Sequence, residues 1–189
     1  MIRTKYVNMA DINFPTVADA PSAPSPRGAR AGEPLWDIIE LLFFAYRDFV
    51  GEPDHLLEKF GFGRAHHRVL HFVNRSPGMK VAELLDILKI TKQSLGRVLK
   101  QLIDEGYVVQ REGAKDRRQR LLYATPKGEE LAMQLAQLQT SRIARALGAL
   151  GPNARQEARE FLLAMIDNGD RDRVLRFVDR GERTRRPRG

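Results

Sequence analysis

Gln93, Arg97 and Lys100 recur at intervals of four and three residues, and the opposite side of the same segment carries Leu95, Val98, Leu99, Leu102 and Ile103. At about 100° per residue this is one amphipathic helix with an apolar face and a face of donors and acceptors. Arg and Gln match the edges of guanine and adenine in a major groove, so Gln93, Ser94, Arg97 and Gln101 are candidates for base contacts. Lys92 and Lys100 suit phosphates. The competing reading of this face is a solvated helix surface. A second cluster runs from Gly113 to Arg118, where Lys115, Arg117 and Arg118 crowd a short tip, with Arg120 just beyond. Cations at a hairpin tip can reach an adjacent minor groove or its phosphates; a solubilising loop is the alternative. Asp116 opposes that charge, but its carboxylate can pair with Arg118 and hold the guanidinium in a fixed bidentate pose. From Thr91 to Lys127 nine basic residues face four acidic ones.

These groups need elements to position them. Gly106 stops the amphipathic helix, Tyr107-Val108-Val109 reads as a strand, and Arg120 to Ala124 as its partner across the charged tip. Upstream, Arg64 to Asn74 is a helix that buries Val69, Leu70 and Val73, and Ser76-Pro77-Gly78 is a turn. Val81, Leu84, Leu85 and Leu88 form one face of a short helix that ends near Lys89, and Thr91 is the N-cap of the next. Two short helices a few residues apart, followed by a hairpin, outline a winged helix-turn-helix. The fold class is therefore mainly α with a small antiparallel β-wing, and the DNA-binding lobe covers about residues 64–125.

The flanks are helical and strongly apolar. Leu35 to Val50 is apolar on nearly every side, with Gly51 and Pro53 expected to end it and Asp54 to cap a short helix through Phe60. Thr125-Pro126 opens a long helix to about Leu150. Gly151-Pro152-Asn153 breaks it, a further helix carries Phe161, Leu162, Met165 and Ile166, and a last one carries Val174, Leu175, Phe177 and Val178. Such helices at both ends of a small domain are hard to bury in a monomer, which predicts a homodimer. Leu35, Trp36, Ile39, Leu42, Phe43, Phe161, Leu162, Met165, Leu175 and Phe177 are the expected dimerisation residues. Residues 1–33, rich in Ala, Pro, Ser and Gly in their second half, read as a flexible leader, 34–180 as the domain, and 181–189, with four arginines, as a basic disordered tail.

Composition limits the function classes. A net charge of +8 over 189 residues suits a polyanionic partner. The absence of cysteine excludes disulfides, thiol sensing and Cys-type zinc sites. The longest apolar run, Leu41 to Tyr46, is far short of the roughly 20 residues that span a bilayer, so a soluble, cytoplasmic protein without a membrane partner is expected. His67 and His71 lie four apart, a spacing used by metal ligands, but no acid sits beside them; polar or packing roles for His66, His67 and His71 are expected, and no metal or other cofactor. Gly61-Phe-Gly63 lacks the third glycine and preceding strand of a phosphate loop, and no nucleophile context is present, so no enzyme is expected.

Taken together, Ser76-Pro-Gly78, Glu83-Leu84, Ile90-Thr-Lys-Gln-Ser94, Leu102-Ile-Asp-Glu-Gly-Tyr-Val108, Asp116-Arg-Arg118 and Thr125-Pro-Lys-Gly128 resemble the MarR family of bacterial winged-helix transcriptional regulators, over roughly Leu35 to Leu150. The wing Asp-x-Arg with a Thr-x-Lys-Gly helix start nine residues after the Asp is specific only in combination. The resemblance implies a homodimer with interlaced terminal helices, bound to double-stranded DNA at a pseudopalindromic operator, more often as repressor than activator. It implies that Arg118 enters the minor groove and Asp116 orients it. It further implies release of DNA by a small-molecule effector, whose pocket would lie among the Trp36–Tyr46 helix, His66–Phe72 and the start of the long helix. Ala124 departs from the family's usual Leu, which should cost some packing but not the fold. The alternative from another class is a winged-helix protein-interaction module without specific DNA binding.

Overall fold

A computed structural model describes residues 33–113 and 119–183. The chain divides into two compact units, one ending at Leu41 and the other beginning at Leu42. In the first, Trp36 N–H donates to the Pro34 carbonyl (2.9 Å) and Ile39 N–H to that of Leu35 (3.0 Å), starting helix α1 (Trp36–Glu58). Leu35, Trp36, Ile38, Ile39 and Leu41 are exposed there.

The second unit continues α1 and adds α2 (Arg64–Arg75), β1 (Met79–Lys80), α3 (Val81–Leu88), α4 (Lys92–Asp104), β2 (Val108–Glu112), β3 (Arg120–Ala124), α5 (Pro126–Gly148), α6 (Ala154–Ala164) and α7 (Asn168–Arg183). The antiparallel sheet runs in the order β1-β3-β2, with Met79 opposite Leu122, Val108 opposite Ala124 and Glu112 opposite Arg120. The core joins Leu57, Val69, Leu70, Val73, Met79, Leu84, Leu88, Leu95, Leu99, Leu102, Val108, Leu122, Leu131 and Leu135, so every element from late α1 to mid α5 contributes to one apolar cluster.

The expected break at Gly51 and Pro53 does not occur, and the short helix from Asp54 is part of α1. Proline removes one N–H donor, but Val50, Pro53 and Leu57 are buried at helical spacing, and that stripe reaches the core only if the helix continues. The His55 ring nitrogen Nδ1 also lies 2.8 Å from the Gly51 carbonyl, one turn back in the same helix. Asp54, rather than capping, accepts from Arg64 Nε at 2.7 Å and ties α1 to the start of α2. The helix α7 also continues to Arg183, past the expected start of the tail at residue 181; residues 184–189 lie outside the described residues, as does the expected leader up to residue 32.

Local chemistry explains the joints. Pro77 and Gly78 (φ 83°) occupy the central positions of a type II turn closed by Met79 N–H to the Ser76 carbonyl (3.0 Å), which brings β1 beside β3. Gly106 (φ 76°) ends α4 as a Schellman motif: its N–H donates to Ile103 and the Tyr107 N–H to Leu102 (2.8 Å). Arg171 closes the α6–α7 turn by donating to the carbonyls of Leu163, Ala164 and Ile166 at 3.0–3.2 Å. Among the described residues no helix is long and apolar enough to cross a membrane.

Candidate nucleic-acid interface

Helix α4 is held by its buried side and capped at its start. Leu95, Leu99 and Leu102 are buried, Val98 and Ile103 partly so. Thr91 Oγ1 accepts from Ser94 N–H (3.1 Å) and donates to Ser94 Oγ (3.0 Å). Such a cap contributes about 1 kcal/mol and fixes the first turn, the one that a helix-turn-helix presents to bases. The half-buried Ser94 hydroxyl still has its own proton to donate outward. Lys89 at φ 52° ends α3 and turns the chain into α4 through Ile90 and Thr91, the short turn of a helix pair.

The outward side chains fall into two groups. Lys92, Gln93 and Arg97 are exposed. They make no hydrogen bond or ion pair with any described residue. Lys100 is also exposed but pairs with Asp104 one turn on. Gln101 is different. It is half-buried, its Oε1 lies 2.8 Å from His66 Nε2, and its Nε2 donates to Glu105 Oε1 at 2.9 Å. The structure thus turns one expected base reader towards α2, away from the free row.

In the wing, Gly113 N–H donates to the Gln119 carbonyl (3.0 Å), closing the base of the hairpin. Arg120 pairs with Glu112 directly across the strands at 2.8 Å, and the Arg111 guanidinium lies 4.9 Å over the Tyr123 ring. Tyr123 in turn packs against the Gly78 turn, where a Cβ would sit 3.1 Å from its hydroxyl. The tip with Lys115, Asp116, Arg117 and Arg118, including the expected Asp116–Arg118 pairing, lies outside the described residues.

The end of α4 is also fastened to α5. Thr125 Oγ1 accepts from Gly128 N–H (3.1 Å) and donates to the Gly106 carbonyl (2.7 Å). Lys127 Nζ donates to the Glu105 carbonyl (3.0 Å) and stands 4.1 Å from the Tyr107 ring centroid. The Thr-Pro-Lys-Gly segment is therefore a clamp between recognition helix, wing and long helix. Its cap was legible in the sequence; the second partner of Thr125 and both partners of Lys127 were not, because they depend on tertiary contacts about twenty residues back along the chain.

The histidines separate by environment. His67 is buried, and burial holds its pKa below 6.5, partly offset by the nearby Asp54 carboxylate. His66 stacks on Phe62 at 4.8 Å, and His71 meets Phe72 edge-on at 5.1 Å. Among the described residues no group of three or more His, Asp or Glu side chains could hold a metal ion. Of the expected dimerisation residues, Leu35, Trp36, Ile39, Leu42, Phe43, Phe161, Leu162 and Met165 are exposed, whereas Leu175 is half-buried and Phe177 packs on Phe72 of the same chain at 5.3 Å.

A model of the MarR family matches residues 60–119, from the end of α1 to the far side of the wing tip. The chain is 48% identical over 129 residues to the HTH-type transcriptional regulator PetP of Rhodobacter capsulatus, a match covering 68% of this chain and 78% of that relative. Among solved structures it is similar to a MarR transcriptional regulator from Methanosarcina mazei Go1 (25% identity, TM-score 0.60, 72% of this chain and 91% of that one). It shares its fold with Streptococcus pneumoniae FabT, solved in complex with DNA (14% identity, TM-score 0.62, 69% and 93% covered). With a helix pair, a three-stranded wing and a relative this similar over most of its length, the chain belongs to the MarR family of winged-helix transcriptional regulators.

Proposed function

We propose that the protein regulates transcription as a homodimer that binds duplex DNA sequence-specifically, with α4 in the major groove and the hairpin tip over the flanking minor groove. The observation that carries this reading is the row Lys92, Gln93 and Arg97, exposed and uncommitted to any described residue on a helix whose other face is buried. Gln93, Ser94 and Arg97 read base edges, and Lys92 and Lys100 take phosphates. Arg118 enters the minor groove, oriented by Asp116, while Lys115, Arg117 and Arg120 line the backbone. Lys100 and Arg120 exchange exposed carboxylates for phosphates, and such surface pairs contribute only about 0–1 kcal/mol.

Exposed apolar side chains support the dimer. Trp36 is 62% exposed, Phe43 65% and Phe161 50%, more large apolar surface than a monomer usually leaves in water. A second copy covers these faces and sets two α4 helices about 34 Å apart, which calls for an inverted repeat spaced by one helical turn. Repression by occupying the promoter is the mode the family resemblance favours. A cavity of about 300 Å³ lined by Phe49, His71, Asn74, Arg75, Ala132 and Ile143 has the size and mixed polarity to take a small aromatic acid, in keeping with release by an effector.

Sequencing and footprinting the DNA that co-purifies with the protein tests this reading. The expected result is a protected inverted repeat and a dimeric mass at micromolar concentration. Protection without dyad symmetry, or a monomeric mass, overturns it.

A further inference from the structure

Resting on the DNA-binding reading, we infer that His66 and Gln101 are positioning residues that set the orientation of the recognition helix, and that Gln101 does not itself read a base. The hydrogen-bond roles are fixed by elimination. Gln101 Nε2 faces two acceptors, the Glu105 carboxylate at 2.9 Å and the Gly61 carbonyl at 3.5 Å, so Oε1 is the atom turned to His66. The His66 ring must then carry its proton on Nε2 to donate across 2.8 Å. Nδ1, left with a lone pair, accepts the Gly63 N–H at 3.1 Å, the N-cap of α2. Every donor meets an acceptor in one tautomer and one amide orientation. Phe62, stacked at 4.8 Å with planes 14° apart, holds the ring plane.

The chain of bonds continues beyond Gln101. Glu105 takes Gln101 on its carboxylate and Lys127 Nζ on its carbonyl, so the last turns of α4 are tied to α2 on one side and α5 on the other. The buried leucine stripe of α4 resists separation from the core but is tolerant of small rotations, because apolar contact is non-directional. Hydrogen bonds with defined angles are what select one rotation. Gln101 stands one turn after Arg97 on nearly the same meridian, so fixing Gln101 fixes the direction in which Arg97 leaves the helix. A displacement of about 1 Å suffices to misplace a bidentate base contact.

The test uses the full-length dimer and two duplexes of equal length, the protein's own recovered site and a scrambled one, at a temperature where circular dichroism shows every variant folded. The variant His66→Asn keeps an acceptor near Nδ1 for Gly63 but cannot reach Gln101. His66→Gln carries an amide nitrogen near Nε2 and can. Gln101→Leu removes the whole link. We expect His66→Asn and Gln101→Leu each to weaken binding to the cognate duplex about 3- to 10-fold, the worth of one hydrogen bond. Binding to the scrambled duplex and the salt dependence should not change. His66→Gln should recover most of the loss, and the double variant should be no weaker than the weaker single. If Gln101→Leu relaxes preference at one base pair while His66→Asn has no effect, Gln101 is a base reader and the inference fails. It also fails if both variants bind as wild type. Wild-type protein that binds neither duplex removes the DNA reading itself, and this inference with it.

Discussion

The carbonyl oxygen of Tyr107 lies 2.0 Å from where a Cβ on Gly128 would be. The same carbonyl accepts from Thr125 N–H at 3.1 Å, so the first turn of α5 is pressed against the chain leaving α4 with backbone on both sides. No side-chain rotation can relieve an added methyl group here. Gly128→Ala should destabilise the domain by roughly 1–3 kcal/mol or more, the range for overpacking, visible as a lower urea midpoint at unchanged m-value. A variant as stable as wild type would show that this junction is loose.

That junction marks the boundary of what could be read in advance. The two faces of α4, the Thr91 cap, the Gly106 stop and the Thr125-Pro126 start follow from periodicity and cap chemistry within a few residues, and each stands where those signals place it. Pro53 misled because a local breaker was overruled by burial of the stripe it belongs to. β1 is two residues long and exists only through pairing with β3, so it left no pattern of its own. In the candidate interface, Arg97 and Gln93 were legible as an outward face. The commitment of Gln101 was not, because its partner His66 lies thirty-five residues earlier.

The helix α7 is clasped to α3 and α2 by two kinds of contact of unequal worth. Arg173 pairs with Asp86 and, at 2.5 Å, with Asp170, while Lys89 bridges Asp86 (3.3 Å) and Asp170 (3.9 Å). These groups are a third or more exposed, so Arg173→Ala should cost less than about 1 kcal/mol. Phe177 meets Phe72 edge-on at 5.3 Å and is half-buried; Phe177→Ala should cost about 2 kcal/mol, below the range for a fully buried ring. Urea denaturation of both variants checks the order. A larger loss for Arg173→Ala would make the clasp electrostatic.

His67 predicts a pH dependence of stability with a definite sign. Its folded-state pKa is held below 6.5, first by burial, so the unfolded chain takes up a proton as pH falls through about 6.5 while the folded chain does not. Protons favour the unfolded state, and stability declines with falling pH until the lower folded-state pKa is passed. Urea midpoints at about pH 7.5 and 5.5 should differ more in wild type than in His67→Gln, which has no proton to bind. Equal differences would mean that other groups carry the effect.

Whether the free face of α4 meets duplex DNA is decided by the binding of the recovered site across a salt series, with wild type and Arg97→Ala. Log affinity should fall linearly with log salt concentration as phosphates are neutralised. Arg97→Ala should weaken the cognate duplex by about 1–3 kcal/mol and the scrambled duplex far less. Affinity that is flat in salt, or an Arg97→Ala protein indistinguishable from wild type on both duplexes, would contradict it.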